Sequence, residues 1–535
     1  MTIAATSAAA TAAAIPAAPA ARPALPPIPL RRVVAFLAMC FGMFMALLDI
    51  QIVSSSLAEI QAGLSASADE IPWVQTAYLI AEVIAIPLSG FLSRALGTRT
   101  LFTISAAGFT LASVMCGMTS SMDGMIVWRA IQGFIGGGMV PTVFASAYLI
   151  FQGPRQKFIA PVIGLIATLA PTIGPTVGGY LTDALSWHWL FFINVIPGIA
   201  VTLSTYTLVD FDRPDYALLK NFDWYGLLSM AGFLGALEYV LEEGPRYEWF
   251  DDDTIAAVAA VSGLSALVFF IRVLTAQAPI VDLRAFANRN FAVGSVFSFV
   301  LGIGLYGLTY LYPVYLAQVR GYNALMIGET MFVSGLVMFV AAPIAGQLNE
   351  RTDPRFVLVA GFVMFAIGTW QMTYLTSDWD FWELLWPQVF RGVGLMCAII
   401  PVTNTALGTL PPERVKNASG LFNLMRNLGG AIGLAAINTW FNDRLDLHLQ
   451  RLHEAVNAAS GPANEMMAKL ATRFGGSDAQ LQALKALTAT VRLQAEVMSY
   501  ADVFLLLTVL FLALAAFGLL MKRPQPLGAG AAGGH

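Results

Sequence analysis

Fourteen apolar runs, each long enough to cross a bilayer, leave this chain few ways to fold. They lie near residues 33–56, 71–93, 100–120, 124–150, 158–182, 188–209, 224–242, 254–275, 291–318, 325–348, 356–376, 381–408, 418–442 and 499–521. Inside hydrocarbon every backbone N–H and C=O must be satisfied within its own segment, so a run of about 20 apolar residues becomes a helix. Composition agrees. Only 12% of the 535 residues are charged, about half the share of a soluble domain. The expected fold class is an all-α polytopic membrane protein.

The positive-inside rule tests this count. With a cytoplasmic N-terminus, eighteen of the 29 Lys and Arg fall on the inner side, and the short outer loops hold only Arg246 and Arg320. One missed helix would invert every later loop and erase that bias. Both termini are therefore expected to be cytoplasmic. The one long outer segment, 443–498, contains two stretches with apolar residues at helical spacing. They read as helices on the membrane surface or as extensions of their transmembrane neighbours. A docking surface for a partner protein is the sharper reading. Residues 1–30 are Ala- and Pro-rich with Arg22 the sole charge, a composition that forms no core.

Several function classes are disfavoured. No Gly-Lys dipeptide occurs, so the phosphate-cradling loop of an ATP-driven pump is absent. The three cysteines lie in apolar runs and the four histidines are scattered, without metal or redox spacing. No basic patch with interleaved aromatics suggests nucleic-acid binding. No nucleophile–base set suggests an enzyme.

An internal repeat gives the domain plan. Pro87-Leu-Ser-Gly90-Phe-Leu92 is followed by Arg99, and Pro343-Ile-Ala-Gly346-Gln-Leu348 by Arg355. Both end even-numbered runs, the second and the tenth. Arg129 in run 4 and Arg391 in run 12 extend the correspondence. Two six-helix halves would pair run 2 with run 8, so runs 7 and 8 are an inserted pair. The expected organisation is a tail over 1–30, a first bundle over 31–212, the inserted pair over 213–285 and a second bundle over 286–535. Repeated halves around a central site are the usual build of secondary transporters.

Run 5 is the most unusual. It carries Gly164, Pro171, Gly174, Pro175, Gly178 and Gly179. Proline removes a helix hydrogen bond, and glycines four apart let another backbone come close. This suggests a helix that packs tightly and moves.

These motifs carry a resemblance. LLDIQIVSSSLAEI (47–60), GFLSRALGTRT (90–100), VWRAIQGFIGGGMVP (127–141), GPTVGG (174–179) and SWHWLFFINVIPG (186–198) stand in order. They resemble the fourteen-helix drug/proton antiporter branch of the major facilitator superfamily. Arg94 departs from the loop 2–3 signature, where most members have an acid. The resemblance implies two six-helix bundles plus two inserted helices, no cofactor, and proton-driven export across a bacterial inner membrane. It marks Gly90, Arg94, Gly97 and Arg99 as the loop 2–3 motif. It marks the run 5 glycines and prolines as an antiporter element closing between the halves. The long outer segment is similar to that of EmrB-type multidrug pumps. This implies a periplasmic EmrA-like adaptor and an outer-membrane TolC-like channel as partners.

Ionisable groups inside a bilayer are costly and mark functional candidates. Asp49 with Arg129 is the first proton-coupling pair, since the family motifs place both toward the central cavity. Glu82 and Glu329 are further candidates. Glu238, in the inserted pair, reads as peripheral, and Arg391 and Arg426 as ties to backbone carbonyls. Phe44, Met45, Tyr78, Phe134, Tyr306 and Tyr310 would suit lipophilic or cationic aromatic substrates. Multidrug export is the leading expectation. Export of one metabolite, such as a fatty acid or siderophore, and a transport-inactive scaffold or sensor are the alternatives.

Overall fold

The computed structural model describes residues 28–67, 70–151, 156–220, 222–276, 279–456, 460–474 and 478–519. Nearly all of the Ala/Pro-rich tail lies outside this set. Among the described residues there are helices and no strand. The long helices are α1 Leu30–Ser54, α2 Trp73–Ala95, α3 Gly97–Met118, α4 Met122–Ile150, α5 Gln156–Ala184, α6 Trp189–Leu208 and α7 Trp224–Glu243. They continue as α8 Asp253–Thr275, α9 Arg289–Gln318, α10 Ala324–Arg351, α11 Pro354–Gln371, α12 Phe381–Leu407, α13 Pro412–Ala455 and α14 Ala479–Gly518.

Among the described residues, thirteen helices are long and apolar enough to cross a membrane. Of the long helices, α13 is the exception. Asn417, Asn423, Arg426 and Asn427 dilute its apolar stretch. The first three are nonetheless buried, because α13 packs against α9, α2 and α14 rather than facing outward.

Two helices break where the sequence allows it. In α4 the glycine run interrupts the helix between Gly136 and Met139. A Cβ on Gly133 would come within 2.3 Å of the Tyr78 carbonyl oxygen, and one on Gly137 within 2.9 Å of that of Glu82. The small residues thus press α4 onto α2. In α6 the break comes before Val195, leaving Asn194 at the start of a new helical segment.

The halves meet along two seams, α5 with α10 and α2 with α13. Small residues set both. A Cβ on Gly328 would come within 2.5 Å of Thr176 Cα, and one on Gly90 within 3.0 Å of Asn417 Cα. Along α5 and α10 the contact continues through Gly335, which faces Leu169 and Thr172. Along α2 and α13 it is made by the end nearer the loop between α2 and α3, where Gly90 meets Asn417 and Gly420 meets Ile86 and Pro87. Toward the other end, α7 packs on α2 and α13.

The segment 443–498 resolves as extension rather than surface helices. With 44 and 40 residues, α13 and α14 run roughly 66 and 60 Å at 1.5 Å per residue, about twice the hydrocarbon thickness. Asp502 ties them, forming an ion pair with Arg444 Nε at 3.2 Å and pairing with His448 Nε2 at 2.9 Å. A further helix, Gly461–Phe474, packs on α14.

Candidate functional site

A cavity of about 660 Å³ lies between the halves. Its walls come from the C-terminal ends of α1, α5, α7 and α9, the N-terminal ends of α2 and α10, and the middle of α13. All of these ends lie opposite the N-terminus of α1. The volume suits a drug-sized ligand. Five acids line it, namely Glu59, Glu82, Asp183, Glu238 and Glu242, and among the described lining residues there is no Lys or Arg. Tyr306, Tyr310 and Tyr322 supply aromatic faces.

Glu82 and Glu238 are the two buried acids of this wall, 4% and 6% exposed. Neither has a hydrogen-bond or ion-pair partner among the described residues. Glu82 is held there because α4 glycines and Gly420 of α13 let three helices close around its turn of α2. Arg426 of α13, in the opposite half, lies within electrostatic reach of Glu82. The reading of Glu238 as peripheral is therefore corrected. The internal repeat marked α7 as inserted but carried no sign of which face it would turn to the cavity.

Asp49 and Arg129 stand apart from this cavity. Both are fully buried inside the first bundle. Arg129 Nη1 donates to Asp49 Oδ2 at 2.6 Å and to Gln132 Oε1 at 2.8 Å, and Nε donates to the Val74 carbonyl at 3.0 Å. Asp49 Oδ1 accepts from Gln132 Nε2 at 3.1 Å and Asn194 Nδ2 at 2.8 Å. Arg129 also lies over the Tyr78 ring, 4.3 Å from its centroid. This network, in which only Arg129 Nη2 among the guanidinium nitrogens is buried without a partner, stitches α1, α2, α4 and α6 together. The expectation that both groups face the central cavity does not hold in this conformation.

In the second half Arg391 of α12 takes the place of Arg129, but among the described residues no acid pairs with it. Its Nη2 donates to Thr309 Oγ1 at 2.8 Å, while Nε and Nη1 are buried without partners. Arg426 lies over Phe144 at 5.5 Å, with Nε and Nη1 buried without partners. The expected ties to backbone carbonyls give way to side-chain contacts at these two sites.

The other candidates divide. Tyr306 and Tyr310 line the cavity. Phe44, Met45, Tyr78 and Phe134 do not: Met45 and Tyr78 are buried within the bundle, Phe44 is half-buried, and Phe134 is exposed. Glu329 is exposed on α10 and is not part of the lining. Pro175 and Gly179 line the cavity, whereas Gly174 and Gly178 press on α1. Cβ atoms there would come within 2.3 Å of Gln51 Cβ and 2.8 Å of the Ile52 carbonyl oxygen. The closure expected between halves at these two glycines thus falls between α5 and α1. Gly164 does reach the second half, at Ile399. The side chain of Pro171 lies outside the described residues.

The loop 2–3 motif sits at the far end, where the cavity is closed. Gly97 adopts φ +78°, a left-handed conformation that glycine alone takes without strain. This turns the chain so that Thr98 N and Oγ1 donate to Asp212 Oδ2 at 2.8 and 2.6 Å. Lys416 Nζ of α13 donates to the same oxygen at 2.5 Å and to the Ser93 carbonyl at 2.9 Å. Arg94 packs against Phe91 and Arg99 over Tyr206. The clasp couples the two halves across an ion pair that is 11–12% exposed. Lys416→Ala should open this end: cysteine labelling from that side should rise roughly tenfold, the equivalent of about 1.4 kcal/mol. Unchanged labelling would remove the clasp's role.

At the opposite rim, the Tyr322 hydroxyl donates to Asp380 and holds its carboxyl below the usual carboxylate range, helped by the Phe381 backbone N–H. Sequence reasoning missed Gln132, Asn194 and Ser113, which complete the buried network. Only Gln132 left a signal, one helical turn after Arg129.

Comparison with known proteins places this geometry. The family model described as Major Facilitator Superfamily matches residues 39–434. The chain is 42% identical over 492 residues to the colistin resistance protein EmrB of Acinetobacter baumannii, covering 91% of this chain and 96% of that one. It is 31% identical over 504 residues to the multidrug export protein EmrB of Escherichia coli K12, covering 94% and 97%. It is 30% identical over 496 residues to the fatty acid resistance protein FarB of Neisseria gonorrhoeae, covering 92% and 97%. Among solved structures, the human organic anion transporter MFSD10 superposes with a TM-score of 0.56 at 14% identity, over 90% of this chain and 99% of that one. The proton:xylose symporter XylE gives 0.56 at 12% identity, over 91% and 96%. Helical architecture, paired seams, central cavity and sequence agree: the chain is a multi-pass membrane protein that belongs to the major facilitator superfamily, a family of transporters.

Proposed function

We propose that this protein is a proton-coupled antiporter exporting lipophilic toxic compounds across the bacterial inner membrane. The observation that carries the reading is the drug-sized cavity between the halves, with a buried, unpartnered carboxyl, Glu82, in its wall. Such a group can exchange a proton with the cavity, and Arg426 across the seam changes its surroundings as the halves rock. The multidrug export relatives support the drug-like substrate class. A dedicated exporter of a fatty acid is the second reading, favoured by one relative's name. The acidic lining opposes a carboxylate substrate. A transport-inactive scaffold or sensor would need no such cavity.

The proposed arrangement has fourteen spans, with α13 as the one of low hydropathy, and both termini in the cytoplasm. The bundles are α1–α6 and α9–α14, with α7 and α8 inserted. The cavity then opens outward and the Lys416 clasp closes the cytoplasmic end. No cofactor is invoked; the proton gradient drives transport. The test is dye efflux from proteoliposomes under an imposed pH gradient. Gradient-dependent flux is expected, and its absence overturns antiport.

The extensions of α13 and α14, capped by Gly461–Phe474, fit a docking surface for an EmrA-like periplasmic adaptor leading to a TolC-like channel. Deleting Gly461–Phe474 should abolish capture of the adaptor while vesicle efflux persists. Unchanged capture overturns the docking role.

A further inference from the structure

The helix α7 belongs to the inserted pair, yet its outer end is a wall of the cavity through Glu238, Leu241 and Glu242. Both flanks fix it there. On one side Gly235 admits Ile84 and Ile80 of α2 to 3.3 and 3.4 Å of where its Cβ would sit. The rings of Trp73 and Tyr239 pack at 5.6 Å. On the other side Trp249 Nε1, just beyond α7, donates to Thr439 Oγ1 of α13 at 2.9 Å. The helix therefore bridges the gap where α2 and α13 separate.

Glu238 is held one turn after Gly235 and is 6% exposed. It has no partner among the described residues, and Glu82 of α2 and Glu242 lie within electrostatic reach. Burying an ionised carboxylate without a partner costs several kcal/mol. A positive charge in the cavity would offset that cost, and no Lys or Arg of the described lining supplies one. Among the described residues no group of three ligands could hold a metal ion, and the rest of the wall is mainly apolar and aromatic. Tyr306 and Tyr310 of α9 stand in the same cavity, and aromatic faces attract organic cations.

We propose that Glu238 of the inserted helix α7, together with Glu82 of α2, anchors the positive group of a lipophilic organic cation, with Tyr306 and Tyr310 receiving its apolar part. This rests on the export reading and narrows its substrate class. It also gives α7 a role beyond linking the halves, since the cavity is incomplete without it.

The test is equilibrium binding of tetraphenylphosphonium to the purified full-length protein in nanodiscs, beside a neutral lipophilic dye. Removing one charge of a buried pair weakens binding by roughly tenfold or more, so Glu238→Gln should lose that factor for the cation and nothing for the dye. Glu82→Gln/Glu238→Gln should bind the cation no better than the dye. Glu329→Gln, on the exposed surface of α10, should match wild type, and melting temperatures check folding. Cation affinity within twofold of wild type in Glu238→Gln overturns the subsite, as does an equal loss for the dye. The two readings separate in proteoliposomes. Gradient-driven flux of the neutral dye with cation binding indifferent to Glu238 overturns the subsite and leaves export standing. Glu238-dependent cation binding with no flux of any probe supports the subsite and overturns export.

Discussion

Asp49→Leu is expected to destabilise the protein by about 3–5 kcal/mol, because it leaves Arg129 buried as an unpaired charge. An exposed pair would lose less than about 1 kcal/mol, so the size of the effect reports the burial. Asp49 accepts from Arg129, Gln132 and Asn194, and all three lose that acceptor at once. Thermal unfolding in detergent and the yield of folded protein measure the loss. Asp49→Leu/Arg129→Met should recover most of it, since an apolar pair of similar volume removes both charges together. A double variant no more stable than the single one would show that the network is not held by this ion pair. If the double variant folds and still couples export to the pH gradient, the pair has a structural role only. If it folds and loses coupling, the pair opens during transport and takes part in it.

The fold was legible because a bilayer reduces the problem to counting. Run length located the long helices, while the distribution of Arg and Lys gave an expected orientation and the Pro87–Leu92 and Pro343–Leu348 repeat an expected pairing of α2 with α10. α13 shows the limit of hydropathy: its Asn residues and Arg426 are paid for by burial against other helices, which no window average records. The charged members of the buried network were legible as costly residues in apolar runs. Their neutral partners were less so: Gln132 follows Arg129 by one turn, but Asn194 and Ser113 look like ordinary polar residues until their helices converge on Asp49. The cavity was least legible. Whether Glu82, Glu238 or Glu329 faces it depends on helix rotation, which is set by where glycines such as Gly133, Gly137 and Gly235 let a neighbour close in. In α7 the turn from Gly235 to Glu238 carries the answer, but only once α2 is known to lie against it.

Glu82→Gln is expected to abolish uphill transport while leaving downhill exchange. One proton entering down about 100 mV supplies roughly 2.3 kcal/mol, enough for roughly a 50-fold concentration ratio. An uncoupled carrier settles at a ratio of one, so the expected loss is the whole of that factor. Gln keeps the shape and polarity of the side chain but cannot exchange a proton. Substrate that enters still finds the cavity, and the α2, α4 and α13 packing around residue 82 is untouched. Proteoliposomes loaded with a neutral lipophilic dye separate the two activities: accumulation under an imposed gradient should vanish, and counterflow without a gradient should remain. Glu82 is also an anchor for a cation, so a proton and a cationic substrate cannot occupy it together. That exclusion is the physical requirement of antiport, because release of one becomes the condition for binding the other. Wild-type accumulation in Glu82→Gln would move coupling away from the cavity wall and return it to the buried Asp49–Arg129 pair.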